Sequence, residues 1–251
     1  MSEVASNIKK ESPLNLNSVA LQLNKYAVSI LDKVNDKHRQ SFTVVMGANG
    51  SGTATSTMDK STRRIFVSIP QMFLDLSDPN SINALKILVG HEIAHQVYAN
   101  MRTPAVTQVA AFVDTFGNNY KKSLQEICIE TAADIAGANF YRELCGEITD
   151  GVYLKYREIL EGGEKENLLE DAGKYVKFGY LPPSFRVDIM RDYIRFDYSD
   201  YAILARITSN LDFICKTYLG KDPGTIRYES ELRYNYKKVN FPNRINRMRK
   251  H

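Results

Sequence analysis

The sequence has no apolar run long enough to cross a bilayer. A membrane helix needs roughly 18 to 20 consecutive apolar residues; the best stretch here, Leu85 to Val97, is shorter and is broken by Lys86, His91, Glu92 and His95. The opening segment, residues 1–13 (MSEVASNIKKESP), has no apolar stretch behind its positive charges. It therefore lacks the pattern of a cleaved secretory signal and reads as a disordered leader. Cysteine is scarce. Cys128, Cys145 and Cys215 are odd in number and form no C-x-x-C pair, which argues against a disulfide framework and fits a reducing compartment. Cys128 and Cys145 fall on an apolar helical pattern and read as core thiols. These absences point by default to the cytoplasm. Delivery as an effector or toxin by a route without a cleaved signal leaves no mark in a sequence.

Acids are missing from one region. Residues 232–251 hold seven of the 33 Lys and Arg and neither Asp nor Glu, so the formal charge of +4 belongs to this end and the other residues sum to −3. Residues 223–251 read as a basic tail. Its cations are interleaved with Tyr234, Tyr236 and Phe241, a mixture able to follow a nucleic-acid backbone with some base stacking. More often such a run is a solvated end. With no internal repeat and no long linker, residues 14–222 are expected to form one domain.

Within it, Leu16, Val19, Ala20, Leu23, Ala27, Ile30, Leu31 and Val34 recur at three- and four-residue spacing, which predicts an amphipathic helix from Leu14 to Lys37. Short strands are expected at Phe42 to Met46, Thr53 to Met58 and Arg64 to Ile69, with Pro70 as a stop. GANGSG (47–52) lacks the Gly-Lys-Ser/Thr ending of a phosphate loop and reads as a hairpin turn. Together these suggest a small antiparallel sheet. Asn80 or Ser81 can cap a helix from Ile82 to about Asn100, and a second strong helix is expected from about Lys121 to Leu144, ended by Gly146. Further helical patterns cover Tyr153 to Leu160, Leu168 to Lys177, Phe185 to Arg195 and Ser199 to Leu219. The expected fold class is α+β, mainly helical, with the sheet ahead of the helix that starts at Ile82.

Histidine is nearly as scarce as cysteine, with four residues, yet two of them fall in His91-Glu92-Ile93-Ala94-His95. At 100° per residue, positions i and i+4 of a helix lie one above the other, so both imidazoles reach one ion. Catalytic zinc takes three protein ligands and keeps one position for water. Glu92 stands at the edge of that face, placed to contact the water without becoming a ligand. The other side, Leu85, Val89, Ile93 and Val97, is free to bury. His38 stands alone in a charged patch and His251 ends the chain; neither reads as a ligand.

A third ligand is needed. Glu130 and Asp134 share a face of a helix otherwise made of Ile127, Ile129, Ala132, Ala133, Ile135 and Ala136. Two carboxylates on so apolar a segment are costly to bury unless something charged meets them. One Zn2+ with its histidines supplies that charge, with Glu130 as third ligand and Asp134 accepting the outer N–H of a ligating imidazole. Glu126, one turn earlier beside Lys122 and Gln125, is the rival ligand.

HEIAH behind an apolar helix start, followed by Glu130, Ala133, Asp134 and Gly137 as E-x-x-A-D-x-x-G, resembles the gluzincin metallopeptidases of the HtpX and CaaX-prenyl-protease type. TATST, RRIFVSIP and QMFLDL are similar in order to that family's strand, strand and short helix. Leu181-Pro182-Pro183 with Arg186 and Ile189 is similar to its H-P-P-x-x-R-I segment. The resemblance covers roughly residues 40–195. Leu181 stands where the family usually has histidine, and the membrane helices of many members are absent. The spacing from His95 to Glu130 is shorter than in many members and closer to that of minimal soluble gluzincins. It also approaches the ImmA/IrrE-like peptidases, with an E-x-E-A-N-type ligand helix; Asp134 in place of Asn favours the first family. The resemblance implies a zincin-like fold, a protein or peptide substrate, and a second donor to the oxyanion, with Arg186 the first candidate and Tyr180 the second.

The activity expected is zinc-dependent endopeptidase cleavage, with Glu92 as general base and an extended substrate added to the edge strand Thr53 to Met58. Two other readings stand beside it. One is a nucleic-acid-associated protein or protease located by its basic tail; the other is a non-enzymatic interaction module with a degenerate metal site. Nothing in the sequence speaks to oligomeric state.

Overall fold

The computed structural model describes residues 18–50, 53–74, 76–100, 118–162, 167–196 and 199–226. The leader, residues 14–17 and all of the tail beyond Ile226 lie outside these. The expected amphipathic helix is α1, Ser18–His38, and it buries Val19, Leu23, Ala27, Ile30, Leu31 and Val34 as the spacing predicts, with Tyr26 added.

Three strands follow: β1 (Thr43–Asn49), β2 (Thr55–Asp59) and β3 (Arg64–Pro70). The sheet is mixed rather than antiparallel, in the order β1-β3-β2, with β1 parallel and β2 antiparallel to β3. Two features of the turns explain the correction. Gly47, Ala48 and Asn49 of GANGSG continue β1, and the Asn49 amide donates to the carbonyls of Thr53 and Ser68, both at 3.2 Å. The next strand, β2, lies on the far side of β3 and not beside β1. The hairpin lies at residues 60–63, where the Asp59 carboxylate accepts from the Ser61 N–H (2.9 Å) and from the hydroxyls of Ser61 (2.7 Å) and Thr62 (2.8 Å). Arg63 completes it in the left-handed region at φ 53°, without a glycine to advertise the turn. β2 is an edge strand, as expected of Thr53 to Met58.

A short α2 (Gln71–Leu74) leads to α3, Pro79–Asn100. Its cap is Asp78, not Asn80 or Ser81: the Asp78 carboxylate accepts from the N–H (2.9 Å) and hydroxyl (2.8 Å) of Ser81. Pro79 then takes the first helical position, where the N–H it lacks would be unsatisfied anyway. Leu85, Val89, Ile93 and Val97 are fully buried. The second strong helix is α4, Asn118–Cys145, ended by Gly146 at φ 96°. Cys145, its last residue, is exposed and is no core thiol, whereas Cys128 is buried.

The remaining elements are α5 (Asp150–Glu161), α6 (Leu168–Lys177), α7 (Pro183–Phe196) and α8 (Asp200–Ile214). The pattern read as one helix to Leu219 instead changes to a π-helical turn at Cys215–Leu219, closed by Gly220 at φ 57°. A 3-10 turn at Pro223–Thr225 follows. The fold is α+β and mainly helical, and no helix of the described residues is long and apolar enough to cross a membrane.

Two apolar clusters carry the packing. One joins α1, the sheet, α3 and α5; the other joins α6, α8, the π turn and Ile226. α4 and α7 contribute to both, so the polar groups they carry between the clusters are enclosed from two sides. α3 and α4 meet through glycines. A Cβ on Gly137 would lie 2.5 Å from the Ile87 carbonyl oxygen and 2.8 Å from the His91 nitrogen, and one on Gly90 would lie 2.9 Å from the Gly137 Cα. Only glycine at both positions allows backbones this close, and this contact brings the face of His91 onto the face of Glu130 and Asp134.

Candidate metal centre

His91 and His95 lie one turn apart on α3, with ring centroids 4.5 Å apart and planes near perpendicular. The two Nε2 atoms are 2.9 Å apart. Glu130 Oε2, from α4, is 3.5 Å from His91 Nε2 and 3.7 Å from His95 Nε2. Three donors thus face one point from two helices, all within 4.8 Å of one another. Two ligands at about 2.0–2.1 Å from a tetrahedral ion lie about 3.3–3.4 Å apart, so the triangle has the size of a metal site. Glu126 also lines the cavity but does not join this group.

Charge makes the same demand. Glu130 and Asp134 are 5% and 0% exposed, and Arg186, at 7%, is the buried cation beside them. With Glu92 at 8%, three buried carboxylates against one guanidinium leave negative charge over in a low-dielectric site. Burial pushes the Glu130 and Asp134 carboxyls up, but contacts from the histidines and Arg186 hold both below their usual range. Burial pushes His91 down, yet the bond and charge of Asp134, aided by Glu130, carry it up to about 10. The pocket therefore calls for positive charge, which a proton on His91 or a cation among the three donors satisfies. These side chains fit a metal ion.

Asp134 holds the arrangement from behind. Its Oδ1 meets His91 Nδ1 at 2.8 Å, the bond expected of it. That partner favours the tautomer protonated at Nδ1, so in the neutral imidazole the Nε2 lone pair faces Glu130. Arg186 donates from Nε to Oδ2 and from Nη2 to Oδ1, both at 2.8 Å, and its Nη2 is 3.7 Å from Glu130. The guanidinium also stands 5.5 Å from the ring of Tyr180. Tyr156 of α5, which the sequence reading did not single out, donates to Asp134 Oδ1 at 2.6 Å and is fully buried. Burial, and then the Asp134 charge, raise its phenol well above the ordinary value. Its sequence signal is an apolar face, Val152, Tyr153, Tyr156 and Ile159, which reads as core.

A cavity of about 510 Å³ opens on the histidines. Glu92, Glu130, Tyr180 and Arg186 line it, with Thr53 to Ser56, which run into the edge strand β2, on one wall and Leu88, Ile159 and Leu160 among its apolar surfaces. The strand is tied to α3: the Ser56 hydroxyl donates to the Glu92 carbonyl at 2.8 Å, and the Gln96 amide donates to the Ser56 hydroxyl (3.0 Å) and carbonyl (3.2 Å). Leu181, at the position where the resembled family usually has histidine, is buried in the second apolar cluster. No family model, no curated protein and no solved structure matches the chain. The likeness to gluzincins therefore rests on its motifs.

Proposed function

We propose that the protein is a zinc-dependent endopeptidase of the gluzincin type, with His91, His95 and Glu130 as metal ligands and Glu92 as general base. The observation that carries the proposal is the convergence of three donors from two helices beside an acid that opens on a cavity. When bound, zinc supplies Lewis acidity to a water molecule and to the scissile carbonyl. Histidine and carboxylate donors suit zinc among the divalent ions, and the motif resemblance favours the same metal.

The chain's own groups do the rest. The Glu92 carboxylate takes a proton from the attacking water and returns it to the leaving amine. Asp134 keeps His91 in the tautomer whose Nε2 is a ligand. Two side chains of the cavity wall can donate to the developing oxyanion. Arg186 commits Nε and Nη2 to Asp134, so Tyr180, half-buried in the wall, is the favoured donor of the two. An extended peptide fits along the cavity wall formed by Thr53 to Ser56, beside the edge strand β2.

Proteome-wide cleavage-site profiling with wild type and Glu92→Gln tests this reading. Glu92→Gln is expected to keep one metal ion per chain and to lose cleavage. Metal-loaded wild type that cuts no peptide, or a Glu92→Gln protein that cuts as well as wild type, overturns it.

A further inference from the structure

Asp134 has two oxygens and receives four bonds: His91 Nδ1, Tyr156 Oη and Arg186 Nη2 at Oδ1, and Arg186 Nε at Oδ2. The partners come from three helices, α3, α5 and α7. We propose that Tyr156 is a positioning residue of the metal centre, holding Asp134 Oδ1 in place so that His91 keeps its Nε2 aimed at Glu130 and His95. This rests on the metal-binding reading above.

Three observations carry it. First, the hydroxyl is not needed for packing. Phenylalanine would fill the same volume in the first apolar cluster, whereas a buried hydroxyl costs free energy unless it is bonded. Its bond at 2.6 Å goes to the oxygen that also meets the His91 ring. Second, a bidentate guanidinium–carboxylate pair is a complete geometry of its own. Bound to Arg186 alone, the carboxylate follows α7 and can turn away from α3. A donor from α5 on Oδ1 fixes the remaining direction. Third, the neighbouring tyrosine separates packing from positioning. Tyr153 lies on the same buried face of α5, but the charges around it are Arg142, Arg191, Asp150 and Arg195, none of them in the metal centre.

Titration of the full-length, metal-free protein with Co2+, followed by visible absorption, tests the proposal. Tyr156→Phe is expected to weaken Co2+ binding about 10- to 100-fold, the usual effect of losing a group behind a ligand, and to alter the ligand-field bands. Tyr153→Phe is expected to leave affinity and bands as in wild type. Equal affinity and bands in Tyr156→Phe and wild type overturn the inference while leaving the metal site standing. Failure of wild type to bind Co2+ overturns the site itself and this inference with it. Should Tyr156→Phe not fold, 3-fluorotyrosine placed at 156 or 153 in the otherwise native chain gives a second readout. The fluorine signal at 156 is expected to move on adding Zn2+ while that at 153 stays; an unmoved signal at 156 overturns the proposal.

Discussion

Glu130 completes the triangle of donors, and Glu126 one turn earlier lines the same cavity without joining it. The two are separable by substitution. Glu130→Gln keeps the side-chain volume and removes the charged ligand, so metal affinity should fall by more than the about 10- to 100-fold typical of groups behind a ligand. Glu126→Gln should change it little. Competition with a chromophoric chelator measures both, and the opposite ranking would make Glu126 the ligand. The residues that the sequence made legible are those whose chemistry is written in helical spacing: His91 and His95 four apart, Glu130 and Asp134 four apart, with apolar neighbours that make buried charge informative. Tyr156 was not legible because a tyrosine on an apolar face is ordinary core. The Arg186 bond to Asp134 spans 52 residues of chain, a pairing that only the packing of α7 on α4 creates.

Between elements, α3 and α4 cross closely at glycines. A methyl on Gly137 would meet backbone atoms of Ile87 and His91, which cannot swing aside as a side chain can. Gly137→Ala should therefore cost about 1–3 kcal/mol of stability, the usual range for overpacking, and weaken metal binding by separating His91 from Glu130. Gly50→Ala, whose Cβ would meet nothing within 4 Å, is the control. Thermal unfolding with and without metal checks both; a Gly137→Ala protein as stable as wild type contradicts the close contact.

The cap of α3 gives a prediction in pH. Bonds from Ser81 hold the Asp78 carboxyl below its ordinary value. A lowered folded-state value means that the carboxylate stabilises the fold above the unfolded-state value and loses that effect as pH falls through the folded-state one. Asp78→Ala should thus lower the unfolding temperature at neutral pH, and the gap to wild type should narrow in acid. A gap that widens in acid is the contrary result. The helices themselves were legible because their apolar periods run long. The sheet was not: parallel and antiparallel strands share the same two-residue alternation, and the glycines of GANGSG drew attention from a turn built by Asp59, Ser61 and Thr62.

Across the whole molecule, the candidate site lies where the two apolar clusters meet, on the two helices that serve both and on α3. A metal ion that joins α3 to α4 therefore ties the halves of the packing together, and binding only the folded state makes it a stabiliser. At a free concentration about 1,000 times its dissociation constant, such a ligand adds about 4 kcal/mol. For a domain of this size that is about 8–16 °C in unfolding temperature. Scanning calorimetry with Zn2+ and with a chelator should show that difference in wild type and little of it in Glu130→Gln.

The most direct test of the centre is elemental analysis of the purified protein after equilibration with Zn2+ and removal of free metal, for wild type and for a His91→Ala, Glu130→Ala double variant. The arrangement of His91, His95 and Glu130 predicts one zinc per chain in wild type and none in the variant. Zinc absent from wild type, or retained in full by the variant, would contradict it.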